Sequence, residues 1–161
     1  MQNRTLAIIS ITLLIIISSV FIPPSGYSFL SPSFSIAGII YWIIKRKSLM
    51  NNYIIFFLGL LNDLFIGTPM GSSSLSYFIV KESIFLLESR LKKNGIIFDL
   101  VKYTFGLTVY FSFIYTFIII YFANYPSISY FLMSYFLTLF IFPIIYITLN
   151  WIENKIRQDE V

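Results

Sequence analysis

Three ionisable residues, Asp63, Lys81 and Glu82, lie within otherwise apolar stretches of the chain and are the first candidates for chemistry. A hydrolase needs a nucleophile and a base, and Lys81 could serve as the base for Ser74 or Ser76. Cysteine and histidine are both absent. Their absence excludes the usual zinc sites, a thiol or Ser–His nucleophile and a disulfide framework. We therefore expect a protein that is not an enzyme, with no catalytic residue, metal site or cofactor.

The strongest local pattern is a turn sequence at residues 59–71. Gly67 suits the left-handed residue that ends many helices, because glycine adopts that conformation without steric cost. Thr68 then suits the N-cap of a second helix, and Pro69 suits its first position. The pattern predicts that one helix ends and another begins within two residues.

Asp63 falls in the last turn of the first of these helices. A carboxylate in apolar surroundings is costly, so it should face the protein interior and accept hydrogen bonds. The donors that we expect are at the positive end of the second helix: the N–H groups of Met70, Gly71 and Ser72 and the hydroxyls of Thr68, Ser72 and Ser73. Asp63 could tie the two helices together, bind a substrate, ion or proton, or contact a partner.

Gly59, Asp63 and Gly67 recur every four residues and so share one face of the first helix. Small residues on one face let two membrane helices approach closely, and we expect this contact to lie within the chain rather than against a second copy. Lys81 lies further along the second helix, where it could extend toward lipid headgroups or pair with Asp63. Glu82 is expected to be buried as well, without an identified partner.

The composition is typical of a membrane protein. Hydrophobic residues make up 58% of the chain and charged residues 11%, whereas soluble domains carry about 25% charged residues. The apolar runs predict one all-α membrane domain, residues 1–161, built as a bundle of six transmembrane helices at about 5–22, 29–44, 53–66, 69–87, 101–122 and 130–151. Pro32 falls in the first turn of the second span, where proline is tolerated, and Pro143 should kink the sixth. That kink could serve packing or receive a partner helix.

The basic residues lie on one side of this predicted topology. Ten of the eleven Lys and Arg residues fall on the side of the two termini: Arg4, Lys45, Arg46, Lys47, Arg90, Lys92, Lys93, Lys102, Lys155 and Arg157. The opposite loops, at about 23–28, 67–68 and 123–129, carry no charge. The positive-inside rule then places both termini in the cytoplasm. Nucleic-acid binding is not expected, because no stacking platform accompanies these clusters.

The 59–71 stretch, with Leu75-Ser-Tyr77 after it, resembles the rod shape-determining protein MreD family. The shared pattern comprises Gly59, Asp63, Gly67, Pro69 and Gly71. Upstream, Pro32 and Tyr41-Trp42 are also similar to this family, and chain length and span number agree with it. The resemblance implies a bacterial inner-membrane subunit of the cell-elongation machinery, which supports lateral peptidoglycan synthesis. It also implies the partners MreC, the MreB filament, a RodA-like polymerase and an elongation-class penicillin-binding transpeptidase.

We therefore expect a non-enzymatic scaffold that docks the transmembrane helix of an MreC-like partner. Cytoplasmic segments 45–52 and 88–99 would be its handles for a filament or enzyme. The alternative is a small-molecule, vitamin-type substrate-binding subunit of a transporter, since MreD-like chains resemble those of energy-coupling-factor transporters in architecture. That role would need a polar pocket, for which Asn62, Asp63, Thr68 and Ser72–Ser74 are the available cluster.

Overall fold

The computed structural model of the protein describes residues 2–20, 33–90, 95–122 and 128–158. These residues are helical almost throughout and contain no β-strand. Six α-helices follow one another: α1 Gln2–Val20, α2 Phe34–Lys45, α3 Asn52–Ile66, α4 Ser72–Arg90, α5 Ile96–Phe122 and α6 Ile128–Gln158. A short 3-10 helix, Lys47–Leu49, joins α2 to α3. The prediction of an all-α chain with six helices is confirmed for this part of the chain.

Several predicted helix ends are wrong. The helix α6 continues through Glu153 to Gln158, beyond the predicted end near 151, and α5 begins at Ile96 rather than near 101. Hydrogen bonds from Tyr41 and Arg46 hold Glu153 in place at the end of α6. The ends of α4 and α5 contain most of the predicted 88–99 handle. Pro32 and the start of the second span lie outside the described residues.

The helices differ in their suitability for crossing a bilayer. Segments Ile96–Tyr121 of α5 and Phe131–Asn154 of α6 are long and apolar enough. Arg4–Val20, Phe34–Lys45 and Asn52–Ile66 are apolar but shorter. The 15 residues of α3 rise about 22 Å, against about 30 Å for a hydrocarbon core.

The helix α2 lies at the centre of the bundle. Every residue from Ser35 to Ile43 is buried, and α2 contacts α1, α4, α5 and α6. Gly38 makes room for the Leu14 side chain of α1, and the Trp42 indole N–H donates to Ser10 Oγ at 3.0 Å. The surrounding helices expose many large apolar side chains, which suits a lipid environment.

The two ends of the bundle differ in charge. The turn between α3 and α4 lies at one end, which we call the turn end. At the other end, α2, α4 and α6 finish, and α3 and α5 begin. We call it the charged end, because Lys45, Arg46 and Lys102 form ion pairs there with acidic residues of α4, α5 and α6.

Candidate functional site

The turn between α3 and α4 contains most of the predicted site residues. Gly67 ends α3 in the left-handed conformation, with φ 78° and ψ 23°, and its N–H donates to the Asp63 carbonyl at 2.9 Å. The predicted helix end is therefore confirmed. This hydrogen bond joins the backbone of Gly67 to that of Asp63, whose side chain occupies the turn.

The predicted start of the next helix, with Thr68 as N-cap and Pro69 in the first position, is wrong. The helix α4 begins three residues later, at Ser72. Gly71 has φ 94°, which interrupts the helical path, and the Ser72 N–H donates to the Pro69 carbonyl at 3.0 Å in a tight turn. Residues 67–71 therefore form a short loop rather than a helical first turn, and this loop folds over Asp63.

The Asp63 carboxylate is buried, with 1% of the residue exposed, and it accepts hydrogen bonds from four groups. Oδ1 accepts from the Thr68 hydroxyl at 2.7 Å, the Ser72 hydroxyl at 3.1 Å and the Ser73 N–H at 3.0 Å. Oδ2 accepts from the Gly71 N–H at 2.7 Å. The predicted donors Thr68, Gly71 and Ser72 are confirmed.

Three details of that donor set differ from the prediction, and the first is that the Met70 N–H is not among the groups bonded to Asp63. Ser73 contributes its N–H rather than its hydroxyl, and the Ser72 N–H is used within the loop. The last two differences follow from the late start of α4, which shifts the free N–H groups along the chain. No cation of the described residues forms an ion pair with Asp63. Neutral donors at the positive end of a helix therefore stabilise this charge.

Asn62, the neighbour of Asp63, has a distinct environment. The residue is 1% exposed, and its Nδ2 donates to Ser73 Oγ at 2.8 Å. Among the buried side-chain nitrogen and oxygen atoms of the described residues, its Oδ1 is the one that has no hydrogen-bond partner. Such atoms are rare in proteins and cost free energy unless a water or ligand binds them. The signal in the sequence that could have indicated this site is Asn62 beside Asp63 on an otherwise apolar helix.

Behind Asn62 the interior remains polar. Tyr77 is fully buried, stacks on Tyr110 with ring centroids 5.8 Å apart, and donates to Ser35 Oγ at 3.2 Å. The Ser35 N–H in turn donates to Ser18 Oγ at 3.3 Å. Sequence reasoning missed this network, because isolated serines and tyrosines on four different helices give no pattern along the chain.

Gly59 allows α3 and α4 to pack closely. A Cβ atom at this position would lie 2.4 Å from the Ser74 Cα and 2.5 Å from its nitrogen. The Ser74 hydroxyl donates to the Phe56 carbonyl at 2.9 Å, across the same contact. The prediction that the glycine face packs within the chain is confirmed for Gly59.

Lys81 is not part of the turn. Its Nζ donates to Asn52 Oδ1 at 2.5 Å, so the predicted pair with Asp63 is wrong. The helices α3 and α4 run antiparallel, which places Lys81 beside the first residue of α3, whereas Asp63 is near the last. A serine–lysine arrangement is not formed either, because Ser74 and Ser76 donate to main-chain carbonyls. Glu82 is exposed rather than buried.

The charged end contains a second polar cluster, whose basic residues we interpreted from sequence as a topology signal and as part of the predicted handles. Lys45 Nζ contacts Asp99 Oδ2 at 2.7 Å, and Arg46 Nε contacts Glu153 Oε1 at 2.9 Å. Burial favours a lower pKa for Lys45, but the hydrogen bonds with Asp99 and Tyr146 outweigh it and raise its pKa. The ammonium therefore stays charged at neutral pH, and Asp99 is bound to a full cation.

A groove of about 330 Å³ lies between α5 and α6. Thr108, Ser112 and Tyr115 line one wall, and Ile128, Leu132 and Tyr135 line the other. None of the lining residues is charged. Pro143 lies further along α6, where it is exposed and the helix continues on both sides.

Comparisons with known proteins identify no relative. No family model, no curated protein and no solved structure matches the chain. Among the described residues, no three Asp or Glu side chains gather in a way that could hold a metal ion.

Proposed function

We propose that the chain is a non-enzymatic membrane scaffold of the bacterial cell-elongation machinery, of the MreD type. It crosses the inner membrane six times with both termini in the cytoplasm, and it docks the transmembrane helix of an MreC-like partner. Through that partner it would act with the MreB filament, a RodA-like polymerase and an elongation-class penicillin-binding transpeptidase.

The Asp63 turn carries this proposal. The positions of the MreD-like pattern each have a task there: Gly59 admits α4, Gly67 ends α3, and Gly71 and Pro69 shape the loop over Asp63. The carboxylate accepts bonds from within the chain on both oxygens, which favours the role of a structural tie. A turn of this kind holds the short helix α3 against α4 at membrane depth without needing water.

The groove between α5 and α6 is the surface that best suits a partner helix. Its lining is uncharged. Thr104, Thr108, Ser112 and Thr116 follow one another every four residues on α5, and small residues in this spacing let helices approach closely. The Thr104, Thr108 and Thr116 hydroxyls donate to carbonyls of their own helix, so they can meet an apolar surface without losing a hydrogen bond.

Depletion of the protein in its native cell, with imaging and a detergent pull-down, tests the proposal. We expect rods to become spheres and an MreC-like protein to be recovered with the full chain. Ser112→Phe should fill the groove and lower that recovery, whereas Phe140→Leu, an exposed change on α6 outside the groove lining, serves as the control. Tags at the two termini should both be accessible from the cytoplasm, and accessibility on opposite sides would contradict the six-span topology.

A second candidate function is binding of a small molecule as the substrate subunit of a transporter. The unpartnered Asn62 Oδ1 and the polar interior around Tyr77 favour it, because a ligand that donates a hydrogen bond would satisfy that atom. Mass spectrometry of the purified protein would detect a retained ligand. Unchanged cell shape with impaired vitamin uptake on depletion would favour this role over the scaffold.

A further inference from the structure

Two lysines at the charged end have no acidic partner among the described residues. Lys81 Nζ donates to the neutral Asn52 side chain, and Lys47 Nζ lies 3.1 Å from the centre of the Phe85 ring. Phe85 lies one turn after Lys81 on the same face of α4. The ammonium group of Lys47, which lies over Phe85, and that of Lys81 are therefore close to the same face of that helix. Each retains donors that the protein does not use, since an ammonium group has three.

The neighbouring cations behave differently. Lys45, Arg46 and Lys102 each contact a carboxylate at 2.7 to 2.9 Å. No carboxylate of the described residues forms an ion pair with Lys47 or Lys81, although acidic residues lie at the same end of the bundle. Glu82, the nearest acidic residue in sequence, projects about 100° around the helix from Lys81.

The start of α3 adds to the positive potential. Asn51, its N-cap, makes no side-chain hydrogen bond to the helix, so the first N–H groups remain available to an anion. Tyr53 follows and is 79% exposed, as is typical of aromatic residues at the level of lipid headgroups.

Apolar side chains continue from this site along α3. Phe56 and Phe57 lie one turn further toward the turn end and are 49% and 63% exposed. The surface thus changes from cations, through an exposed tyrosine, to an uncharged aromatic wall. A phospholipid has the same order from phosphate to acyl chain, whereas an acidic protein segment or free phosphate would leave the wall uncovered.

We propose that Lys47, Lys81 and the start of α3 bind the headgroup phosphate of an anionic phospholipid, whose acyl chain lies along Phe56 and Phe57. The inference rests on the membrane location in the proposed function. It concerns a lipid surface that is separate from the groove proposed for the partner helix.

Lipid retention by the full-length protein tests this site. The protein would be reconstituted in nanodiscs of phosphatidylcholine and phosphatidylglycerol, extracted with mild detergent, and weighed by native mass spectrometry. We expect wild type to retain phosphatidylglycerol, and K47Q/K81Q to bind it on the order of tenfold more weakly, since each lysine near an anionic surface contributes to binding. K47R/K81R keeps both charges and should retain the lipid.

The matched control is R4Q/R90Q, which removes the same charge from two exposed arginines that make no ion pair within the described residues. It should retain phosphatidylglycerol as wild type does. Equal loss in both double variants would show general surface attraction and overturn the site, as would equal retention of phosphatidylcholine by wild type. Should K47Q/K81Q fail to fold, the single variants K47Q and K81Q replace it, and unchanged retention in both would overturn the proposal.

Failure of the lipid site can be distinguished from failure of the proposed scaffold function. Membrane extraction and recovery of the MreC-like partner would be measured on the same samples. Normal recovery without lipid preference contradicts the lipid site alone, whereas absence of the protein from membranes contradicts both proposals. Loss of an acidic protein partner from K47Q/K81Q with unchanged lipid retention would assign the lysines to that partner instead.

Discussion

The turn end and the charged end stabilise buried or half-buried carboxylates in opposite ways. At the turn end, Asp63 accepts bonds from N–H and hydroxyl groups, and no cation in the described part of the chain forms an ion pair with it. At the charged end, Asp99 and Glu153 each contact a cation. The donors to Asp63 lie within ten residues of it in sequence, whereas the charged end joins residues 54 and 107 positions apart. A local turn stabilises the Asp63 carboxylate, whereas contacts between distant helices stabilise those of Asp99 and Glu153.

The largest effect should follow from removal of the Asp63 carboxylate. Asp63→Ala leaves the buried Ser73 N–H and Ser72 hydroxyl without an acceptor, and we expect a loss of about 3 to 5 kcal/mol in unfolding free energy. Thermal unfolding in detergent and the protein level in membranes would measure it. Glu82→Gln changes an exposed carboxylate and should have little effect.

Asp63→Asn distinguishes a structural tie from a ligand or partner site. Its oxygen can still accept, but its NH₂ group faces donors, so a tie should lower the protein level. Normal level and melting temperature with lost function would contradict the tie and indicate a site.

Next in size is the contact at Gly59. Gly59→Ala places a methyl group within 2.5 Å of Ser74 backbone atoms and should cost about 2 kcal/mol or more, because backbone cannot yield easily. Gly67→Ala is the control. Its methyl group would meet open space, so the expected cost is only that of an alanine at positive φ, about 1 kcal/mol. Equal melting temperatures for the two variants would contradict close packing of α3 on α4.

The ion pair between Lys45 and Asp99 should show a smaller, salt-sensitive effect. Both side chains are partly buried, so a double-mutant cycle with Lys45→Met and Asp99→Asn should give a coupling of about 1 to 2 kcal/mol. Because salt screens exposed pairs more than buried ones, 1 M NaCl should reduce this coupling and leave the cost of Asp63→Ala unchanged. Equal salt dependence at both ends would contradict the distinction between them.

The smallest effect should be that of Asn62→Leu. The change removes the bond to Ser73, which lowers stability, but it also removes the unpartnered Oδ1, which raises stability. We expect the net change in unfolding free energy to be within about 1 kcal/mol of zero. Leu58→Ala, a buried apolar truncation on the same helix, is the comparison and should cost about 2 to 5 kcal/mol. A loss from Asn62→Leu as large as this would show that a water or ligand binds Oδ1.

The same local and long-range distinction explains what sequence reasoning could predict. Gly67, Asp63 and Thr68 were placed correctly in contact, because the distances along a helix and a tight turn follow from backbone geometry. The start of α4 was missed, because a positive φ at Gly71 competes with the N-terminal preference of Pro69. The pairs of Lys45 with Asp99 and Arg46 with Glu153 could not be predicted, because they depend on how α2, α5 and α6 pack.

The Asp63 turn also has a consequence for biosynthesis. All its hydrogen-bonding groups lie between residues 63 and 73, so the hairpin of α3 and α4 can form with the Asp63 charge already bonded. That step does not wait for α5 or α6, which the ribosome makes later. The ion pairs of α2, in contrast, become complete once Asp99 and Glu153 have been synthesised. Newly made chains would therefore complete the hydrogen bonds of the turn end first and the ion pairs of the charged end last.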